Sequence, residues 1–289
     1  MHPAAVAALR CPHCGSALHL ADRALVCDAG HRFDLARQGY VNLVGGAGTR
    51  HHGDDSAMVA RRERVLAAGL FDPLLDALAS AADAVLSGTE TGRPKVLIDV
   101  GAGPGVHLAR LVGDHADRCG IAIDVSKHAA RQATRVHRRV VSIVADVWAG
   151  LPVSDAVADV GIVAFAPRNG AELARMLAPH GRLIVVVPTA EHLAGLSARF
   201  GMLRVDDAKD DRLHAQLAPN LTVTGRHHVT WQRALTPAEA ADLAGMGPSA
   251  RHLDPDAIAA EFNDPAAEMT MYGSVRLLTL ARTRQGPRP

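Results

Sequence analysis

Four side chains near the amino terminus carry the first recognisable chemistry. Residues 11–31 read CPHCGSALHLADRALVCDAGH, placing two residues between Cys11 and Cys14, twelve before Cys27, and three between Cys27 and His31. A two-residue gap lets the backbone turn so that both thiolates meet one centre, and Gly15 and Gly30 supply the backbone freedom such knuckles use. Three thiolates and one imidazole fill a tetrahedron and leave no position for water, so the implied ion is a structural zinc, Zn2+. His13 and His19 are alternative fourth ligands. His31 is preferred, because His13 lies inside the first knuckle, where its side chain should point outward. ALHL and ALVC flank Ala21-Asp22-Arg23 as two short strands joined by a tight turn would, giving a ribbon hairpin. Cys119 stands alone beside an apolar run and reads as a core thiol.

The second group is a glycine turn. Gly101-Ala102-Gly103-Pro104-Gly105 follows the apolar run Val96-Leu97-Ile98-Asp99-Val100 and precedes a helical stretch over Val106–Val112. A glycine turn between a buried strand and a helix lets a ligand approach the backbone at the carboxyl edge of a sheet. The dinucleotide fingerprint wants a further glycine at position 106, where Val106 stands, so the pattern departs from that class. Asp124 ends the next strand, Gly120–Ile123, where a carboxylate can accept from both ribose hydroxyls. Asp146 follows a third strand, Val140–Val144.

These residues need a scaffold, and the chain has one to offer. At 289 residues it is long enough for about two units of roughly 150. With 48% hydrophobic and 21% charged residues it excludes a disordered, collagen-like or coiled-coil chain, and a net charge of +1 advertises no global nucleic-acid or membrane field. No apolar run reaches the length of a membrane span and no leader pattern opens the chain, so a cytoplasmic location without a membrane partner is expected. Residues 1–43 read as a zinc-ribbon domain and 44–56 as a Gly-rich polar linker. Residues 57–289 read as a doubly wound α/β domain, with two helices over Ala57–Leu86 and further strands at Val160–Ala164, Gly181–Val187, Leu221–Trp231 and Met269–Ala281. Seven strands in a Rossmann-like sheet are expected, with the ligand at the topological switch point.

The G-x-G-x-G turn resembles motif I of S-adenosylmethionine-dependent methyltransferases. Together with the knuckles, FDLARQGYVNL from Phe33, GDDSAMVARR from Gly53 and LFDPL from Leu70, it closely resembles the 23S rRNA guanine-N1 methyltransferase family, almost end to end. AFAPRN from Ala164, RLHAQLAP from Arg212 and MGPSARHLDPD from Met246 look most like its actinobacterial branch, which confers resistance to tylosin and related macrolides. The resemblance implies methyl transfer from S-adenosylmethionine to N1 of one guanine in a hairpin loop of 23S rRNA domain II. It places zinc on Cys11, Cys14, Cys27 and His31, and cofactor contacts on Phe71, Gly103, Pro104 and His192, beside Asp99, Gly101, Gly105, Asp124 and Asp146 of the core. Relatives behave as dimers, so a homodimer is admitted. On residue type alone, Phe71 reads as a core aromatic and His192 as a surface histidine.

The reaction needs alignment of N1, methyl carbon and sulfur more than covalent help, and it needs a destination for the N1 proton. Asp54, Asp55 and His52 are candidate acceptors. Arg168 stands in the aromatic slot used by enzymes that methylate exocyclic amines, which suits a ring-nitrogen acceptor instead. Two basic stretches are candidate RNA grips: Lys127 to Arg139, and Arg23, Arg32, Arg37 and Arg50 with Phe33 and Tyr40. The second is preferred, because the ribbon has no evident cofactor task. A rival reading is a small-molecule methyltransferase of natural-product assembly. Another is a non-catalytic zinc and RNA-binding module, which the intact Asp99, glycines and Asp124 disfavour.

Overall fold

The computed structural model describes residues 1–46, 48–88, 92–202, 215–247 and 269–283. The opening of the RLHAQLAP stretch and most of MGPSARHLDPD lie outside the described residues.

The ribbon follows a short helix, α1 (Pro3–Ala7), and consists of β1 (His19–Ala21), β2 (Ala24–Val26) and β3 (Arg32–Asp34) in an antiparallel sheet of that order. Asp22 turns the β1–β2 hairpin at a φ of +53°, a conformation that Asp tolerates better than most residues. The hairpin stands where the sequence placed it, and β3 adds a third strand.

Among the described residues the main sheet holds eight strands in the order β10-β11-β9-β8-β5-β6-β7-β4. These are β4 (Val41–Asn42), β5 (Lys95–Val100), β6 (Arg118–Asp124), β7 (Val140–Val144), β8 (Ala158–Ala164), β9 (Leu177–Pro188), β10 (Leu221–Leu235) and β11 (Met269–Arg282). The seven expected strands are β5 to β11. The eighth, β4, leaves the ribbon and pairs parallel with β7 through Val41–Ile143 and Asn42–Val144, so the ribbon's tail is an edge of the main sheet. The central strands are apolar at nearly every position because both faces are covered.

Helices α2 (Ser56–Ala67), α3 (Asp72–Leu86), α4 (Val106–Val112), α5 (Lys127–Ala133), α6 (Gly170–Met176), α7 (Ala194–Phe200) and α8 (Pro237–Gly245) complete the layers. Alternation along β5 divides the core. Val96, Ile98 and Val100 join α1 and the ribbon's Cys11, Leu18, Leu25 and Cys27 on one side, and Leu97 joins Leu74, Leu78, Leu108 and Trp231 on the other. The ribbon is therefore continuous with the core rather than tethered to it. Among the described residues no single helix is long and apolar enough to cross a membrane.

Candidate functional site

The four ribbon ligands converge. Cys14 Sγ lies 3.7 Å from Cys27 Sγ, and His31 Nδ1 lies 3.5 Å from Cys11 Sγ and 3.4 Å from Cys27 Sγ. All four donor atoms fall within 4.8 Å of one another. A tetrahedral zinc with Zn–S bonds of about 2.3 Å sets its sulfurs about 3.8 Å apart, so the donor set fits that ion closely. The geometry selects Nδ1 of His31. His13 stacks on Phe33 instead, with ring centroids 5.6 Å apart and planes 16° from parallel, and neither it nor His19 joins the cluster. Gly15 and Gly30 take φ values of +74° and +83°, the freedom expected of knuckle glycines. Hydrogen bonding with Ser16 pulls the Cys14 thiol down to about 6, whereas burial pushes Cys11 up.

At the carboxyl edge of β5, Gly101, Gly103 and Gly105 all adopt left-handed φ values, and a Cβ on Gly101 would collide with the Ala166 methyl. The N–H groups of Gly101 and Ala102 donate to the Ile123 carbonyl at 2.8 and 3.0 Å, fixing the turn against β6. Asp124 then closes it from the other side: Oδ2 accepts from the Gly103 N–H and Oδ1 from the Ser126 N–H, both at 2.8 Å. Burial raises the Asp124 pKa against the pull of those two donors. Asp99 is fully buried. Its Oδ2 meets His107 Nδ1 at 3.2 Å, while Oδ1 has no hydrogen-bond partner among the described residues. A buried carboxylate oxygen lacking a donor, beside a glycine cradle and a ribose-height aspartate, fits the amino group and diol of S-adenosylmethionine. Pro104 sits within this turn.

Asp146 is more occupied than its sequence position suggests. Its Oδ2 meets Thr49 Oγ1 at 2.6 Å and His51 Nδ1 at 2.8 Å, and its Oδ1 accepts from the Trp148 N–H at 2.9 Å. Burial pushes its pKa up, but these hydrogen bonds outweigh that and hold it below the ordinary value. The stretch read as a linker thus lies across the sheet edge. Gly53 packs on Ser126, whose hydroxyl donates to the Asp54 carbonyl at 2.6 Å.

The three candidate proton acceptors stand in this same stretch. Asp55 caps α2, its Oδ1 accepting from the Ala57 and Met58 N–H groups at 2.8 and 2.9 Å. Asp54 pairs with Arg62 at 2.5 Å, and that guanidinium also overlies Gly103. His52 is exposed and has no hydrogen-bond partner among the described residues.

An aromatic corner faces the glycine turn from the other flank. Phe71, only 4% exposed, packs edge-on against Trp231 at 5.6 Å and lies 6.2 Å from His192. Trp231 is anchored by its indole N–H on the Leu70 carbonyl and by its partner across the sheet, Gly273, where any side chain would strike the indole. His192 Nδ1 accepts from the Ser274 N–H at 3.2 Å, so the neutral ring carries its proton on Nε2. Phe165, absent from the sequence-derived site, stacks on His192. Arg168 lies just beyond, with its Nε enclosed and without a partner among the described residues, and burial lowers its pKa.

The basic stretches differ in how far they are committed. Arg139 donates to the Arg118, Gly113 and His115 carbonyls and closes the end of α4, so it is structural. Near the ribbon, Arg32 pairs with Asp34 and Arg23 reaches the Ala36 carbonyl, while Arg37 and Arg50 are exposed without a partner among the described residues. Phe33 is held between His13 and the core. Cys119 is buried, and that burial raises its thiol to about 11, as befits a core residue.

Thr49, His51, Arg62 and Phe165 were not legible as site residues. Thr49 and His51 lie 97 and 95 residues from the carboxylate they bind, with no local pattern linking them.

Comparison with known proteins bears directly on this site. The zinc-ribbon profile described as RlmA, N-terminal, matches residues 9–45. Over 96% of its length the chain is 45% identical to a putative 23S rRNA (guanine-N(1)-)-methyltransferase of Micromonospora griseorubida, covering 98% of that protein. It is 43% identical to the 23S rRNA (guanine(748)-N(1))-methyltransferase of Streptomyces fradiae, over 87% of this chain and 88% of that one. A third relative, the putative 23S rRNA (guanine-N(1)-)-methyltransferase YxjB of Bacillus subtilis, is 38% identical over 65% of this chain and 66% of its own.

Proposed function

Because the chain belongs to the 23S rRNA (guanine-N1-)-methyltransferase family, we propose that it methylates N1 of one guanine in 23S rRNA, using S-adenosylmethionine. The observation that carries this reading is the near end-to-end match to relatives of that activity in a chain that also keeps the ribbon ligands, the glycine cradle and the buried Asp99 and Asp124. Those relatives favour an rRNA acceptor over a small molecule.

When bound, the cofactor supplies an electrophilic methyl group on a sulfonium. The protein's part is positioning. Asp124 presents a carboxylate, already oriented by two backbone N–H groups, to the ribose diol. Asp99 offers its unpartnered oxygen to the amino group, and Gly101, Gly103, Pro104 and Gly105 let the backbone come close. We assign Asp146 to the adenine amino group, and Phe71 and His192 to the flank of the cofactor. Since Asp55 serves as a helix cap and Asp54 is ion-paired, His52 is the uncommitted candidate for receiving the N1 proton and the first to test.

We carry the reading further: the target lies in a domain II hairpin loop, the methyl group protects against tylosin-type macrolides, and the enzyme works in the cytoplasm, where ribosomal RNA is found. The ribbon, with zinc on Cys11, Cys14, Cys27 and His31, grips RNA through Arg37 and Arg50, and two copies can share the task as a homodimer. The test is rRNA from cells with and without the gene, read by reverse transcription and nucleoside mass spectrometry. One new stop at a domain II guanine, with 1-methylguanosine and a raised tylosin tolerance, is expected. Unchanged rRNA would refute the reading.

A further inference from the structure

We propose that Phe165 is the surface on which the target guanine stacks once it leaves the RNA loop. This rests on the rRNA reading above and adds the residue that receives the base.

Three observations meet at this side chain. Phe165 directly follows β8 with a φ of +55°, a left-handed conformation that a bulky residue rarely adopts and that costs backbone energy. It is also 44% exposed, at the end of a strand whose seven residues are all buried. A strained backbone and an exposed aromatic are two separate costs at one position, and glycine would relieve both. Finally, the ring is held. His192 lies 5.6 Å away and 22° from parallel, covering one face, and Phe71 meets it edge-on at 6.5 Å and 78°. With one face on His192, the exposed area belongs to the opposite face and the rim.

Its position suits a base. The next residue, Ala166, packs on Gly101 of the cofactor turn, and β8 adjoins β5 at the switch point of the sheet. The open face therefore stands one residue from the cradle, on the flank opposite the Thr49–His51–Asp146 contacts. His192 is itself anchored through Nδ1 on the Ser274 N–H, so the platform is two rings deep and preorganised. A splayed base needs such a surface, because it gives up its neighbours in the RNA stack and recovers that energy on an aromatic side chain. The left-handed turn is what swings the Phe165 ring out of the buried strand and toward incoming RNA.

The experiment compares wild type with Phe165→Tyr, Phe165→Leu and Phe165→Gly, all zinc-loaded. It measures S-adenosylmethionine binding by calorimetry, thermal midpoint, and methylation of a domain II transcript read as 1-methylguanosine. Loss of one stacking contact corresponds to about tenfold to a hundredfold. Phe165→Leu and Phe165→Gly are expected to lose that much in kcat/KM, Phe165→Tyr to stay within about threefold, and all three to bind the cofactor as wild type does. Phe165→Gly should melt no lower than wild type, since it removes strain, whereas a residue serving only packing would melt lower. Wild-type rates in Phe165→Leu, or equal losses in the Tyr and Leu variants, would overturn the proposal with the rRNA reading intact. A wild-type protein that leaves the transcript unmethylated would instead remove the rRNA reading, and the proposal with it.

Discussion

The ribbon and the nucleotide-binding sheet reach a functional site by opposite routes. The zinc ligands span only residues 11–31 and converge through two knuckles, so their geometry is set almost entirely by chain-local turns. The cleft at the sheet edge gathers Asp99, Asp124 and Asp146 from the ends of the parallel-paired β5, β6 and β7, and Thr49 and His51 reach Asp146 across 97 and 95 residues. One site is stabilised by an ion and the other by a core buried on both faces. The ribbon's site thus depends on an ion and the cleft on packing, although the two share one core and are stitched by β4 and residues 49–55.

The largest expected effect tests that stitching. Stripping the metal with a chelator, or Cys27→Ser, removes a contribution on the order of 10 kcal/mol to a structural zinc site and should abolish rRNA methylation. Amide exchange should then show β1 to β3 unprotected, with β5 to β8 unchanged and cofactor affinity within about threefold. A loss of cofactor affinity as large as the loss of RNA turnover would show instead that the ribbon holds the cleft together.

Next comes the cleft itself. Asp124→Ala removes a carboxylate that binds the glycine turn and that we assign to the ribose, and hydrogen bonds to a charged group are worth about 1.5–3 kcal/mol. Cofactor affinity should fall about tenfold to a hundredfold by calorimetry, with zinc content unaltered. The pH dependence follows from burial raising the Asp124 pKa. As pH falls, this carboxyl takes up its proton earlier than an ordinary aspartate, so cofactor binding should weaken before solvent-exposed aspartates titrate. The sign for folding is the reverse: ionised Asp124 costs stability above its folded pKa, and the cost is relieved as pH drops through it.

How much of this was legible in the sequence follows the same division. Cys11, Cys14, Cys27 and His31 were readable because ligand spacing is local, and β5 to β8 because strands buried on both faces write mostly apolar runs. Even the α4 boundaries, Val106–Val112, follow from the glycine turn before it. What sequence could not show is tertiary. Residues 44–56 look like a polar linker, since Thr49, His51 and Asp55 spend their polar groups on partners that composition does not reveal. Asp55 was a candidate acid–base residue on type alone, and the structure places it as a helix cap. Phe165 opens the Phe165-Ala166-Pro167 stretch that the sequence sets at a motif position, but its exposure and backbone angle are tertiary features that no residue type announces.

Smaller effects sharpen the boundary between lobes. Thr49→Val deletes one hydrogen bond to Asp146 and should cost about 1 kcal/mol in denaturant unfolding, with the Asp146 pKa rising as a donor is lost. Asp55→Ala removes the α2 cap and should likewise cost about 1 kcal/mol while leaving cofactor affinity unchanged. A large fall in turnover without a change in stability would return Asp55 to the reaction.

If the chain works as proposed, the cleft at the carboxyl edge of β5 delivers a methyl group to guanine N1. Purified zinc-loaded protein, methyl-labelled S-adenosylmethionine and a 23S rRNA domain II transcript test it directly, by digestion to nucleosides and location of the label. Label is expected in 1-methylguanosine alone, at one guanine. Label in any other nucleoside, or none in an RNA that the protein binds, would contradict it.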